Sequence, residues 1–161
     1  CLEAFERVTG TTSPGFGIDG CSVPNFATTL HGMARAMAHF AVAPDGSAEA
    51  RLHQAMRLHP DLVAGETRAC TNLMRAMNGK VALKTGAEGF FIAILPDQNI
   101  GVALKAACGT KRAAECAITS ILVKLGALDP NHPEALKYRN APIENRRGII
   151  TGTLKPAAGF A

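Results

Sequence analysis

Beyond Gly79 the hydrophobic period of this chain changes, and that change restricts its fold more than any other feature. Up to that point apolar residues recur every three or four positions. Afterwards Val81-Ala82-Leu83 leads into Lys84-Thr85-Gly86, and Phe90 to Leu95 is an unbroken apolar run. Pro96-Asp97-Gln98-Asn99 is a turn, and residues 100–107 form a second run. Continuous rather than alternating apolar runs predict strands covered on both faces. We read three adjacent antiparallel strands here, the last two forming a hairpin. Thr110 then stands as the cap of a helix that places Ala114, Ile118, Ile121, Leu122 and Leu125 on one face. Lys111, Arg112, Glu115 and Lys124 fall on the other, and Gly126 ends it. The expectation is an α+β fold, an α/β sandwich in which helices cover an antiparallel sheet.

The residues before this switch supply the covering helices. Leu2, Phe5 and Val8 have helical spacing and run into the breaker-rich segment Thr9 to Gly15. In Gly17-Ile18-Asp19-Gly20-Cys21-Ser22-Val23-Pro24, two glycines and a proline frame one carboxylate and one thiol. Glycines let a backbone approach a ligand closely, so Asp19 and Cys21 are candidates for presentation to a site; an ordinary turn with a buried thiol satisfies the same residues. A core-facing helix is expected from about Phe26 to Phe40, through Leu30, Met33, Ala34 and Met37. Its His31 and His39 lack the i, i+4 spacing of a helical metal pair, which favours structural or solvent-facing roles. Ser47 is placed to cap a second helix burying Leu52, Ala55 and Met56, which Pro60 stops. Residues 59–66 read as a loop. A third helix, beginning near Glu66 or Thr67, lines Cys70, Leu73, Met74 and Met77 along one face and ends at Gly79 in a left-handed cap. Glu66 and Arg68 lie at its start, where the dipole stabilises a carboxylate. In the tail, a short helical turn through Ala135 and Leu136 precedes a final strand at residues 148–154, placed to add to the existing sheet.

Composition narrows the classes of function. At 161 residues with 47% hydrophobic content, the chain is the size of one domain with a real core, spanning residues 1–161. Its net charge of +4 is spread along the chain, with doublets such as Lys111-Arg112 and Arg146-Arg147. With no Trp and one Tyr, this disfavours a nucleic-acid surface. No apolar run approaches the roughly 20 residues of a membrane span. Five cysteines, odd in number and without a C-x-x-C pair, argue against a disulfide framework or zinc ribbon and predict a reducing, cytoplasmic setting. The chain opens on Cys1 in mid-element, so a preceding segment is expected.

A strand bearing Lys84-Thr85-Gly86, a hairpin, a strand and a long helix form the C-terminal order of serine β-lactamases and penicillin-binding proteins, which this chain resembles. It is more similar still to the bacterial asparaginase II family of Rhizobium type. That resemblance rests on three stretches in order: Gly17 to Pro24; His59-Pro60-Asp61-Leu62-Val63-Ala64-Gly65-Glu66-Thr67-Arg68-Ala69-Cys70-Thr71-Asn72-Leu73-Met74; and Lys84-Thr85-Gly86-Ala87. It implies hydrolysis of L-asparagine to aspartate and ammonia by a serine-lysine mechanism. Lys84 would belong to the catalytic apparatus, and the Ala87 amide would donate to the oxyanion. Asp19 would hold the substrate head group, with Gly86, Arg68 and Glu66 as further substrate-binding candidates. Cys21 would be a zinc ligand.

The departures matter as much. Ser13, Ser22, Ser47 and Ser120 are followed three residues on by Phe16, Asn25, Ala50 and Val123, so no Ser-x-x-Lys occurs. Neither Ser-Asp-Asn nor Cys-Ser-Gly-Lys is present. The nucleophile and the remaining zinc ligands are therefore expected outside these residues, and the chain is expected to be the C-terminal portion of a larger enzyme. A homodimer, or association with the missing N-terminal portion, is the implied assembly, and the isolated chain is expected to lack asparaginase activity. Two alternatives remain open: a β-lactamase-like or transpeptidase-like hydrolase fragment, and a non-catalytic binding or assembly module of the same fold.

Overall fold

The computed structural model describes residues 1–160. In chain order its elements are α1 (Leu2–Thr9), β1 (Phe16–Ile18), β2 (Pro24–Phe26), α2 (Leu30–Ala41), α3 (Ala48–Leu58), α4 (Pro60–Ala64), α5 (Ala69–Ala76) and β3 (Ala82–Thr85). After these come β4 (Phe90–Leu95), β5 (Ile100–Lys105), α6 (Lys111–Lys124), α7 (Pro133–Arg139), β6 (Ala141–Glu144) and β7 (Ile150–Leu154). The architecture is α+β, as expected, with three small antiparallel sheets.

The central sheet has the order β3-β4-β5. Lys84 lies opposite Ile92, Ile94 opposite Gly101, and Phe90 opposite Lys105. Helices cover both faces, which is why β4 can read Phe-Phe-Ile-Ala-Ile-Leu without polar alternation. On one face Leu83, Phe91, Ala93 and Leu95 pack with Leu73 and Met74 of α5 and Ala114, Ile118 and Leu122 of α6, all buried. On the other, Ala82 and Ile94 meet Ala41, with Met37, Phe40 and Met56 packed around them. Gly101 is glycine because α2 crosses directly over it: a Cβ there would collide with the backbone of Ala34, Met37 and Ala38.

Caps and turns follow the sequence in several places. The Ser47 hydroxyl accepts from the Ala50 amide at 3.1 Å. Helix α5 is shorter than expected, starting at Ala69 and capped at Met77, with the left-handed turn beyond it shared by Asn78 (φ +52°) and Gly79 (φ +72°). The edge of β3 is closed by sulfur. The Leu83 amide donates to Met74 Sδ at 3.3 Å and the Thr85 amide to Cys70 Sγ at 3.2 Å, so α5 satisfies the strand's outward donors.

Other expectations are corrected. Helix α2 begins at Leu30, not Phe26, because Pro24–Phe26 is paired with β1 and the Thr29 hydroxyl caps the helix at the Gly32 amide. Residues 59–66 are not all loop, since Pro60 opens the short α4 from its first position, where its missing N–H costs nothing. Helix α3 turns inward Ala50 and His53; of the expected Leu52, Ala55 and Met56 stripe only Met56 packs against the core, while Leu52 is 57% exposed and Ala55 also faces solvent. Thr110 precedes α6, but its hydroxyl makes no cap and instead contacts Cys108 Sγ at 3.1 Å. The last strand does not extend the central sheet. It pairs with β6 in a separate hairpin. Among the described residues no helix is long and apolar enough to cross a membrane.

Candidate active site

The β1–β2 hairpin is held against α1 by aromatic contact, Phe26 to Phe5 at 5.6 Å between ring centroids, and Phe16 to Phe26 at 6.3 Å. Its five-residue tip, Asp19 to Val23, is closed by Asp19 N–H to Val23 O at 3.0 Å and Ser22 N–H to Asp19 O at 2.8 Å, with Ser22 at φ +68°. Within this tip Cys21 Sγ–H donates to Asp19 Oδ2 at 3.2 Å. That bond, followed by the Gly20 and Cys21 amides, holds the Asp19 carboxyl below the usual carboxylate range, so it is ionised at neutral pH.

Across from the tip lies the turn that follows β3. Gly86 N–H donates to Phe90 O at 2.8 Å, Phe90 N–H to Ala87 O at 3.3 Å, and Ala106 N–H to Gly89 O at 2.9 Å. Lys105 Nζ donates to the Glu88 carbonyl and pairs with its carboxylate at 3.7 Å. Glu88 sits at φ +53°, a left-handed conformation rare for a residue with a Cβ, and these bonds keep it there. Gly86 is constrained by space: a Cβ would fall 2.7 Å from the Phe90 ring. The amides of Ala87 and Glu88 have no protein acceptor among the described residues.

The two turns face one another across an open cleft of about 580 Å³ lined by Asp19, Cys21, Asn25, Gly86, Ala87 and Glu88, with Val23, Pro24 and Phe90 as its apolar wall. Four residues singled out from sequence are thus brought together, the Asp19/Cys21 pair and the Gly86/Ala87 pair lying 65 or more positions from each other. Asn25 and Glu88 were missed. Glu88-Gly89 carries a turn signal just past Ala87, whereas nothing local distinguishes Asn25.

The other candidates are placed differently. Lys84 is half-buried on β3 and its Nζ donates to the Thr85 carbonyl at 2.7 Å, outside the cleft lining. Glu66 is engaged by Arg75 through two bonds of 2.7 and 2.8 Å, which hold its carboxyl low. Arg68 is exposed at the start of α5. Cys70 lies beneath this region; burial pushes its thiol up, while the Thr85 amide and the charges of Lys84 and Arg68 work against that rise.

Metal chemistry needs a richer donor set than this chain assembles. No group of three or more His, Cys, Asp or Glu side chains converges on one point among the described residues. Zinc sites ordinarily draw on three or four protein ligands, so the residues present do not fit a self-contained zinc site. The cleft instead offers a fixed anion, Asp19, facing free backbone donors, an arrangement suited to a small polar substrate carrying a cationic group and a carbonyl.

Comparison with known proteins bears on what that substrate is. A search of curated proteins returns no match. The family model described as L-asparaginase II matches residues 1–156, nearly the entire chain. The chain therefore belongs to the L-asparaginase II family.

Proposed function

We propose that this chain contributes one wall of the active site of an L-asparagine amidohydrolase, which releases aspartate and ammonia by a serine-lysine type mechanism. The observation that carries the reading is the convergence of Asp19 and Cys21 with Gly86 and Ala87 in one cleft. Family membership supplies the reaction class. In this reading the ionised Asp19 binds the substrate ammonium, which adds recognition and orientation but no chemistry of its own. The Ala87 amide donates to the oxygen of the tetrahedral intermediate, where charge develops. Lys84 assists a serine supplied by residues outside this sequence, its Nζ released from the Thr85 carbonyl to accept the hydroxyl proton. Glu66 and Arg68 stay in the reading as substrate-binding candidates outside the cleft lining, Glu66 reaching substrate only on release from Arg75. Cys21 would serve as one donor of a zinc site whose other ligands come from outside these residues. The serine β-lactamase-like arrangement belongs to the same proposal, supported by the order β3, β4, β5 and α6. Five free thiols support a reducing, cytoplasmic setting.

The test is a titration of the isotopically labelled chain with L-asparagine, followed by amide NMR. Saturable shifts at Asp19, Gly86 and Ala87, lost in Asp19→Asn, are expected. Shifts absent from these residues would remove the reading. Ammonia release from asparagine by the isolated chain, at the rate of an intact enzyme, would overturn the external nucleophile.

A further inference from the structure

Helix α3 turns inward two polar side chains that the fold leaves unsatisfied. His53 is only 6% exposed, yet its Nδ1 has no hydrogen-bond partner. One turn further on, Arg57 donates from Nη1 to the Gly79 carbonyl at 3.1 Å, while its buried Nε–H is also without a partner. Arg57 enters none of the ion pairs among the described residues. An unsatisfied buried group in a native fold calls for a reason, and a partly buried guanidinium without a counter-charge calls for one more strongly.

Both residues line a cavity of about 310 Å³, completed by Ala50 and Gln54 of α3 and by Asp45 and Gly46 from the preceding turn. It shares no residue with the cleft between the hairpin tip and the Ala87 turn. Its volume is about ten times the share of one water, ~30 Å³, and lies at the lower end for small-molecule sites. The occupant is therefore small.

Charge decides the class. Burial and the nearby Arg57 lower the His53 imidazolium's pKa, so the ring is neutral at pH 7. The lining then carries one cation, Arg57, and one anion, Asp45. A free phosphate would be repelled by Asp45 and a metal cation by Arg57, whereas a zwitterion presents one charge to each. Gln54 adds a neutral amide able to donate and accept. We propose that this cavity is a binding site for a small neutral α-amino acid, its carboxylate on the terminal Nη groups of Arg57 beside the His53 wall and its ammonium on Asp45. The site stands on this geometry independently of the proposed amidohydrolase reaction. If both stand, it gives that enzyme an effector site for the same class of molecule as its substrate.

The experiment is a titration of the 161-residue protein with L-alanine, which lacks a side-chain amide, read by amide NMR and by calorimetry. Saturable shifts are expected at Asp45, Gly46, His53, Gln54 and Arg57. Asp45→Asn and Arg57→Lys should each weaken binding roughly tenfold or more, since each removes or misplaces a charged hydrogen bond. Asp45 is exposed, so Asp45→Asn keeps the test decisive even if Arg57→Lys disturbs the fold. Asp19→Asn, in the other cleft, should leave the titration unchanged; its abolition by Asp19→Asn would assign the ligand to that cleft and overturn the proposal. The absence of saturable shifts, binding indifferent to Asp45→Asn, or inorganic phosphate binding as well as L-alanine would overturn it too.

Discussion

Asp19 owes its charge state to its own turn. The Cys21 thiol contributes most, then the Gly20 and Cys21 amides, and no burial opposes them strongly. Cys21→Ala removes the leading contribution while leaving both amides, so the Asp19 carboxyl should titrate higher than in the wild type, though still below an unrestrained aspartate. Carboxyl carbon NMR across pH 2–6, a range bracketing the ordinary value of about 3.9, reads this directly; an unchanged midpoint would show that the amides alone set it. His53 makes the opposite kind of prediction. Its pKa is lowered in the fold, chiefly by burial and then by Arg57, while the unfolded chain titrates near the model-peptide value of about 6.5. Between the two values the unfolded state binds more protons, so the contribution of His53 to stability is complete above about pH 6.5 and is lost as pH falls toward the folded value. His53→Gln should flatten that slope. Urea midpoints at pH 5 and pH 8 for both proteins would measure it, and equal slopes would place the pH response elsewhere.

At the scale of the element, the central sheet and its helices were legible because their signals are local and strong. The apolar runs at Phe90–Leu95 and Ile100–Lys105, the turn between them and the period of α6 are each written within a dozen residues. The phase of α3 was not. Its leucines and its Ala50-His53 stripe both have helical spacing, and the choice of inner face is made by α2 and β3, which the helix cannot see. The β6–β7 hairpin failed for a similar reason: a strand's sequence does not name its partner. The site was half-legible. Asp19, Cys21, Gly86 and Ala87 sit in marked turns, but their convergence, and the places of Asn25 and Glu88 in the same lining, exist only in three dimensions. Two substitutions test the packing. Gly101→Ala pushes a methyl into the α2 backbone at Ala34, Met37 and Ala38, which cannot yield as a side chain would, and should cost about 3 kcal/mol. Met74→Leu preserves volume but removes the sulfur that accepts the Leu83 amide. It should cost about 1–3 kcal/mol, where a merely isosteric change costs less than about 1.5. Chemical denaturation measures both, and slowed exchange of the Leu83 amide in the Met74→Leu protein would refute the role of the sulfur.

For the whole molecule, the placement of apolar surface matters more than its amount. The sheet is sealed on both faces, yet Leu52 (57% exposed) and Leu58 (65%) lie with Ala48 and Ala55 along one side of α3, and Leu62 of α4 is 82% exposed. Single exposed leucines are ordinary; a row sharing one concave surface is not. Arg51, Gln54 and His59 border it, giving the polar rim typical of surfaces that bind other protein. The stripe contributes little to the stability of the chain, because its residues already face solvent. Leu52→Lys combined with Leu58→Lys should therefore leave the thermal midpoint nearly unchanged, with each substitution within about 0.5 kcal/mol. The same pair should abolish hydrophobic-dye binding and any concentration-dependent association seen by light scattering. A fall in stability of several kcal/mol would mean that the leucines are covered in solution by part of this chain. Dye binding that persists in the double variant would instead direct attention to the exposed Ile149 and Ile150 of the C-terminal hairpin region.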